Sequence, residues 1–322
     1  YTTLFRSLRI YLLGMPALGL YNFGNAVLSA AGDTKRPLYY LAFAGVVNVI
    51  LNLFFVIVCH LGVAGVALAS MISQFISAFL ILRALLTGKE KYCLRLSEIR
   101  FDKRKAVGIL QIGIPSAFQY SLFAFANLFV QSSVNSFDHV LVEGNSAAAN
   151  ADPLVYDMMA AFYTACSSFI AQNFGARKKK RILQTYLICL FYSFITSLVL
   201  GVGIYLARYP FLYLFTSDKA VVEAGITRLS IMALSYSASA FMDASIAASR
   251  GLGKTAVPTF VVVMGSCVFR IIWIYTIFAY FHTIQSLYIL YVFSWGITAI
   301  AENIYFFHVY RHTLTGKTES HL

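Results

Sequence analysis

Long apolar runs, separated by short polar connections, recur along the whole chain. Each run is close to the ~20 residues that a helix needs to cross the hydrocarbon core of a bilayer. About nine such runs can be read from the sequence, at 10–31, 37–58, 63–86, 106–135, 145–172, 182–207, 220–249, 256–279 and 286–310. Because backbone polar groups inside a bilayer must be satisfied within each segment, the pattern predicts an all-α polytopic membrane protein.

A short polar phrase occurs twice, at corresponding places between apolar runs. Gly-x-Thr-x-x-Pro is present at 32–37 and again at 253–258, an offset of 221 residues from Gly32 to Gly253. The same offset relates Ala17 to Ala238 without a gap. A long internal repeat in a membrane protein indicates a transporter built from two similar halves, with its site where the halves meet.

Composition and charge support the membrane interpretation. Hydrophobic residues make up 59% of the chain and charged residues 12%, whereas a soluble domain carries about 25% charged residues.

The net charge of +12 could suggest nucleic acid as a partner, but the basic residues are segregated by side of the membrane. The outer side holds only Arg6, Arg9, Arg208, Lys219 and Arg228, with Arg270 inside a span. The excess on the other side marks it as cytoplasmic, so we expect a multi-pass protein of the plasma (inner) membrane, with a cytoplasmic C-terminus and no nucleic-acid partner.

No arrangement of residues indicates catalysis or a bound metal. The five cysteines are scattered without metal-ligand spacing, and the six histidines lie mostly in loops or the tail. Gly253-Lys254-Thr255 resembles the end of a phosphate-binding loop, but the required first glycine is replaced by Ala248. We therefore predict neither an enzyme nor a cofactor, and expect an ion gradient to supply the energy for transport.

The polar stretch 87–105 divides the chain. It is the one long polar segment and suits a helix on the cytoplasmic membrane face. Residues 1–90 pair with 222–311 in the repeat, whereas 101–221 have no partner in the first half. If the halves are equivalent, three spans are missing from the front, and the chain is a fragment of a protein with about twelve spans.

Three motifs together resemble the multidrug and toxic compound extrusion (MATE) family. They are the doubled Gly-x-Thr-x-x-Pro, the sequence Gln172-Asn173-Phe174-Gly175-Ala176 with the basic run that follows it, and Gly113-Ile114-Pro115 after a basic linker. The resemblance covers essentially the whole chain. It implies a two-lobed bundle of twelve helices around a central cavity, with about nine of the twelve present here. It assigns 1–90 to the last three helices of the N-lobe, 91–105 to the linker and 106–322 to a six-helix C-lobe.

The resemblance also implies a function, with two departures. Such proteins exchange H⁺ or Na⁺ for cationic, amphipathic drugs or metabolites, and we expect a monomer in the lipid bilayer. Many members have an essential Asp in the first helix, which this chain lacks. Some have a Glu in the helix after the linker, but 106–135 contains no carboxylate, and Gln111 and Gln119 are its nearest polar substitutes. The resemblance also implies an Asp in the tenth helix, within the C-lobe, and Asp243 lies in that helix.

Ionisable residues inside spans are costly and are functional candidates by default. Asp243 lies about 10 Å from the cytoplasmic end of its helix at 1.5 Å per residue. It could exchange a proton, supply oxygen to Na⁺, or serve as a structural partner for Arg270. Arg270 needs a carboxylate or several carbonyl groups, and Asp243 or Glu302 would serve. For Glu302, an ion-coupling role and a structural ion pair are both open.

Further residues on three predicted spans complete the candidate set. Asp157, with Tyr156 beside it, could hold an organic cation by charge and cation–π contact, or could line a solvated cavity. Tyr236 lies two turns before Asp243 on a similar face. Asn127 lies one turn from Gln131, where interhelical hydrogen bonding is the alternative to a site. Asp152 is expected at the outer interface.

The leading hypothesis is a secondary active antiporter that exports small organic cations. The alternative is a lipid-linked saccharide flippase of the same broad fold, which would need several inward-facing basic residues to hold a pyrophosphate. Only Arg270 is available for that role in the sequence. An intramembrane enzyme would need a nucleophile–base pair or a histidine cluster, and neither is evident.

Overall fold

A computed structural model describes residues 2–87 and 93–313, and within them all regular structure is helical. The first helices are α1 (Thr2–Leu13), α2 (Met15–Ala30), α3 (Lys35–Leu53), which continues as a π-helical turn over Phe54–Val58, and α4 (Gly62–Thr87). After a 3₁₀ turn at Leu96–Glu98 come α5 (Lys103–Val134), α6 (His139–Ala149), α7 (Ala151–Gly175), α8 (Lys179–Leu206), α9 (Arg208–Tyr213) and α10 (Lys219–Gly251). The chain ends with α11 (Ala256–Val262), α12 (Phe269–Trp273), α13 (Ala279–Phe281) and α14 (Ile284–His312). π-Helical turns at Val263–Val268 and Ile274–Phe278 join α11, α12 and α13 into one rod.

Eight helical segments of the described chain are long and apolar enough to cross a membrane. They correspond to eight of the nine predicted spans, which confirms the prediction of an all-α polytopic membrane protein. The first predicted span, 10–31, is interrupted: α1 ends at Leu13, and α2 begins at Met15 and is only 16 residues long. The segment 139–175 is divided at Asn150, where α6 ends and α7 begins.

The chain divides into two compact units, Tyr1–Phe101 and Asp102–Leu322, called unit 1 and unit 2 below. In unit 1, α4 packs against α1, α2 and α3. Its core includes Tyr21, Leu28 and Ile81. Assignment of the segments 1–90, 91–105 and 106–322 to parts of two lobes remains a prediction.

The doubled motif forms the same turn in both places. Gly32 and Gly253 adopt positive φ angles of 91° and 75°, a conformation that glycine adopts without steric cost. The amide that follows each glycine donates a hydrogen bond back to the carbonyl oxygen of Leu28 or Ser249, at 2.9 and 3.0 Å. Each is a Schellman-type helix end, so the repeated phrase connects two helices in each half.

Helix α10 is the centre of unit 2 and is the most buried of the eight candidate spans. It packs against α6, α7, α8 and α14. Small side chains such as Ser239, Ala240, Ala244 and Ala248 are buried along it, and small residues at helix interfaces allow neighbouring backbones to approach closely. The polar side chains of α10 are therefore held against those of four neighbouring helices.

Candidate functional site

Asp243 lies in the second half of α10, as predicted from the sequence. It is half-buried between buried neighbours Met242 and Ala244. Its carboxylate has no hydrogen bond or ion pair with any residue in 93–313, so its charge is not neutralised by direct contact within the described part of unit 2.

Glu302 lies on α14 and is completely buried, with 0% of its surface exposed. Neither carboxylate oxygen has a hydrogen-bond partner in the described part of the chain. Burying a carboxylate without a partner is unfavourable, and such a group tends to bind a proton or another cation. Glu302 is therefore a candidate cation-binding group in unit 2.

Arg250, one residue before the end of α10, is the basic residue that interacts with these two carboxylates. One of its terminal nitrogens, Nη2, donates to Gln119 Oε1 of α5 at 2.9 Å. The charge of Arg250 acts electrostatically on both Asp243 and Glu302, although it forms a direct ion pair with neither in the described structure. Gln119, a predicted site residue, is buried and is thus linked to the carboxylates through Arg250.

The prediction that Arg270 pairs with Asp243 or Glu302 is wrong. Arg270 is completely buried, and its Nη1 donates to Asn127 Oδ1 at 2.7 Å while its Nε donates to Ser294 Oγ at 3.3 Å. Its guanidinium also lies 4.7 Å from the ring centre of Phe123 and 4.5 Å from that of Tyr291. Two aromatic faces and two neutral oxygens take the place of a carboxylate, because a planar guanidinium stacks on rings as well as donating hydrogen bonds.

Backbone geometry around Arg270 is unusual. Its short helix α12 lies between the two π-helical turns, Val263–Val268 and Ile274–Phe278. π-Helical turns are rare and are often found at functional sites. They also rotate the side chains that follow them away from the α-helical register.

Tyr236 joins a different group from the one predicted. It is buried, and its hydroxyl donates to Asp152 Oδ1 at 2.5 Å rather than approaching Asp243. The other oxygen of Asp152 accepts from Arg228 Nη2 at 2.5 Å, and Arg228 Nη1 donates to Asn145 Oδ1 at 2.7 Å. This network, called the outer network below, links α6, α7 and α10.

The outer network adds the surroundings of Arg228 to the sequence analysis. The charge distribution along the sequence predicts only the side of the membrane for Arg228, and in the structure its side chain is 8% exposed and paired with Asp152. Arg228 is nine residues into α10, which begins at Lys219. Asp152 therefore acts as the partner of a buried arginine.

Tyr156 and Asp157 are adjacent in sequence but lie on different faces of α7. The Tyr156 ring packs edge-on against Tyr236 at 5.9 Å and against Trp295 at 6.0 Å, whereas Asp157 is exposed. The acid and the aromatic group that were predicted to hold a cation together are not brought together within unit 2.

Sequence reasoning missed the roles of Arg228, Arg250 and Trp295. Arg250 lies one residue before the end of α10, a position that does not indicate from sequence alone that its side chain donates to Gln119 of α5. A signal for Trp295 was available: it lies two turns before Glu302 on the same face of α14, as expected from the helical repeat.

Comparison with protein families gives two matches. The model described as MatE matches residues 115–276, half of the chain. A second model, described as Lipid II flippase MurJ, matches residues 2–136. The MatE match contains Gln119, Asp157, Asp243 and Arg270, and Glu302 lies beyond it.

Similar proteins are named as probable multidrug resistance proteins. The chain is 33% identical over 176 residues to the probable multidrug resistance protein YpnP of Bacillus subtilis, covering 54% of this chain and 39% of that protein. It is 23% identical over 260 residues to the probable multidrug resistance protein NorM of Thermotoga maritima, covering 78% of this chain and 55% of that protein. The chain thus spans between about two fifths and somewhat over half of the length of these relatives.

Solved structures share the fold. A transporter of the MOP superfamily from Pyrococcus furiosus superimposes with a TM-score of 0.89 at 20% identity, covering 96% of this chain and 70% of that one. At this identity the likeness establishes the helical architecture of the chain.

Proposed function

Because this chain belongs to the MatE family, we propose that the protein is a secondary active antiporter that exports small organic cations or drugs in exchange for H⁺ or Na⁺. Coupling takes place at Asp243 and Glu302 of unit 2. Cation entry at these carboxylates favours one conformation of the transporter, and cation release favours another.

The proposal is carried by the unpaired, fully buried carboxylate of Glu302. An ionised carboxylate without a partner costs several kcal/mol in a low-dielectric interior, so cation binding there is strongly linked to the state of the surrounding helices. Asp243, also without a direct partner in the described part of unit 2, supplies a second negative charge. The same arginine acts on both acids, and each acid could bind and release a small cation.

The environment of Arg270 favours a cationic substrate over an anionic one. A fixed positive charge facing the transported molecule would repel an organic cation, but Arg270 is fully enclosed in unit 2 and covered by two aromatic rings. Its role is then to hold α12 against α5 and α14 through Asn127 and Ser294.

The protein is a multi-pass membrane protein, and we place it in the plasma membrane with its C-terminus in the cytoplasm. The segregation of basic residues supports this orientation. We further propose that it acts as a monomer, catalyses no chemical reaction and uses no cofactor apart from the coupling ion.

Transport in proteoliposomes tests the proposal. The full-length gene product is reconstituted, and uptake of a fluorescent organic cation such as ethidium is followed after a pH or Na⁺ gradient is imposed. Glu302→Gln and Asp243→Asn are expected to reduce ion-driven exchange at least tenfold. Glu143→Gln, which changes an exposed carboxylate, is the matched control. Exchange that persists at the wild-type rate in both site variants would rule out the proposed coupling.

A lipid-linked saccharide flippase is the second candidate, favoured by the MurJ match at residues 2–136. Against it, both buried arginines of unit 2 already have partners: Arg228 binds Asp152, and Arg270 binds Asn127. Neither is open to a pyrophosphate in this arrangement. Ion-independent translocation of a fluorescent lipid pyrophosphate by the same proteoliposomes would favour the flippase.

A further inference from the structure

Only some of the hydrogen-bond donors of Arg250 have partners in the structure. Nη2 donates to Gln119, while Nε is buried and has no partner within 93–313. A guanidinium has five donors in a rigid fork, so this position leaves Arg250 with one buried donor unsatisfied. Arg228 and Arg270 each also have one buried nitrogen without a partner in the described part of the chain. What distinguishes Arg250 is that two carboxylates without direct partners lie within the reach of its charge, so a second position with more acceptors is available to it.

Those acceptors are close at hand. Both carboxylate oxygens of Glu302 lack partners, and Asp243 likewise has no direct partner in the described part of unit 2. Among described basic residues, Arg250 is the one whose charge acts on both acids. The arrangement holds two unpaired acids and one incompletely satisfied cation within electrostatic reach but outside ion-pair contact.

We propose that Arg250 is a tethered cation that competes with the coupling ion for Asp243 and Glu302, and so sets the affinity of the site for that ion. This inference rests on the proposed coupling role of the two acids. When the ion is bound, repulsion holds the guanidinium on the neutral oxygen of Gln119. When the ion leaves, Arg250 moves towards the acids and neutralises them from within the protein.

Gln119 suits this role because it is neutral. A carboxylate at this place on α5 would bind Arg250 permanently, since charge-assisted hydrogen bonds are about twice as strong as neutral ones. An amide oxygen binds the guanidinium weakly enough for it to return to the acids. The absence of any carboxylate on 106–135 thereby gains a physical explanation.

Carboxyl labelling measures the competition directly. Dicyclohexylcarbodiimide modifies protonated carboxyl groups in apolar surroundings, and mass spectrometry quantifies the modified Glu302 peptide of the full-length protein. Labelling is measured against pH without Na⁺, and against Na⁺ concentration at fixed pH. The nearby titratable groups are Tyr156 and Tyr163 beside Asp243, and Tyr305 beside Glu302; all variants retain them.

Arg250→Gln is expected to raise the pH midpoint of labelling by about one unit or more, or to lower the Na⁺ concentration that protects Glu302 by about tenfold or more. This is the effect of removing a unit charge several ångströms away at an effective dielectric constant of about 20. Arg250→Lys keeps the charge and should stay near the wild-type value. Lys254→Gln removes an exposed positive charge from the adjoining turn and should leave the midpoint unchanged.

Gln119→Leu gives an independent test with the opposite sign. Loss of the neutral acceptor moves Arg250 towards the acids, so the pH midpoint should fall or more Na⁺ should be needed. A purely structural disturbance has no reason to produce shifts of opposite sign in these two variants, and this second variant keeps the idea testable if Arg250→Gln does not fold.

Three results would overturn the inference. The first is that Glu302 never reacts with the carbodiimide, or reacts alike in all variants. The second and third are that Arg250→Gln shifts the labelling midpoint by the same amount as Lys254→Gln, or by the same amount as Arg250→Lys. The proposed function fails separately. If Glu302→Gln and Asp243→Asn leave ion-driven exchange intact, the coupling site itself is wrong. If they abolish exchange while the Arg250 and Gln119 variants keep the wild-type midpoint, only the tethered-cation role is wrong.

Discussion

Replacing Asp152 by asparagine is predicted to destabilise the protein, because it leaves Arg228 buried without a counter-charge. The Arg228 side chain is 8% exposed and that of Asp152 is 26% exposed. Asp152 also accepts the hydroxyl hydrogen bond of Tyr236. One substitution therefore removes the charge from two contacts in the outer network while leaving the shape of the side chain nearly unchanged.

The size of the effect follows from the burial of the pair. Removing one partner of a fully buried ion pair costs about 3–5 kcal/mol. The partial exposure of Asp152 reduces this, because water screens the charge, and Asn145 still accepts from Arg228. We expect a loss of about 2–3 kcal/mol of unfolding free energy, which corresponds to a fall in Tm of about 4–12 °C by the scaling for large soluble domains.

A double-mutant cycle with Arg228→Met provides the assay. Thermal stability is measured in detergent by fluorescence-detected size-exclusion chromatography for each single variant and the double variant, with Glu143→Gln as an exposed-carboxylate control. Asp152→Asn is expected to destabilise the protein chiefly because it leaves the Arg228 guanidinium without a counter-charge. Adding Arg228→Met removes that charge and should restore part of the lost unfolding free energy. Destabilisations that add within about 0.5 kcal/mol would refute the reasoning, since independent sites behave in that way.

Three further predictions concern single positions. Gly253→Ala should destabilise by about 1–2 kcal/mol because φ is positive there. In Gly296→Ala the new Cβ meets no atom within 4 Å inside α14, so this control should be neutral or stabilising by up to about 1 kcal/mol. Thermal unfolding of the two variants measures the difference. Gly251→Ala should lower the unfolding free energy by about 1–3 kcal/mol, since the new Cβ would lie 2.7 Å from a backbone oxygen of α7. Gly108→Ala is its control, because a Cβ there meets no atom within 4 Å. Equal Tm values for the two variants would contradict the close packing at Gly251. Glu302→Gln should leave Tm unchanged or raise it, because it removes an unpaired buried acid, and a marked fall in Tm would indicate an undetected structural partner.

The architecture could be predicted from the sequence because its signals are periodic or repeated. Apolar runs gave eight helices of spanning length, and the offset between Gly32 and Gly253 placed two equivalent turns. The break between α1 and α2 at Gly14 was not predicted, since the apolar run continues across it. The stretch 221 residues later belongs to the unbroken helix α10, so the internal repeat did not indicate the break either.

The partners of the buried charges could not be predicted in the same way. Sequence spacing gives the height of a residue along its helix but not which neighbouring helix it faces. Arg270 illustrates this, because the π-helical turns on either side of α12 change the register between it and the rest of its rod. The expectation that a buried arginine pairs with a carboxylate indicated Asp243 or Glu302. In the structure, aromatic rings and neutral oxygens contact Arg270 instead.

The contrast between the two kinds of buried charge supports the division of roles in unit 2. Arg228 has an acid at 2.5 Å and Arg270 has amide, hydroxyl and aromatic partners, although each keeps one buried nitrogen without a partner in the described part of the chain. Asp243 and Glu302 lack direct partners in the described part of the unit, and the charge of Arg250 acts on both. Stability alone would favour a permanent ion pair or an apolar replacement at these positions. A site that must gain and lose a cation in each cycle requires the opposite, namely acids that remain unpaired by the protein and a competing charge that can move.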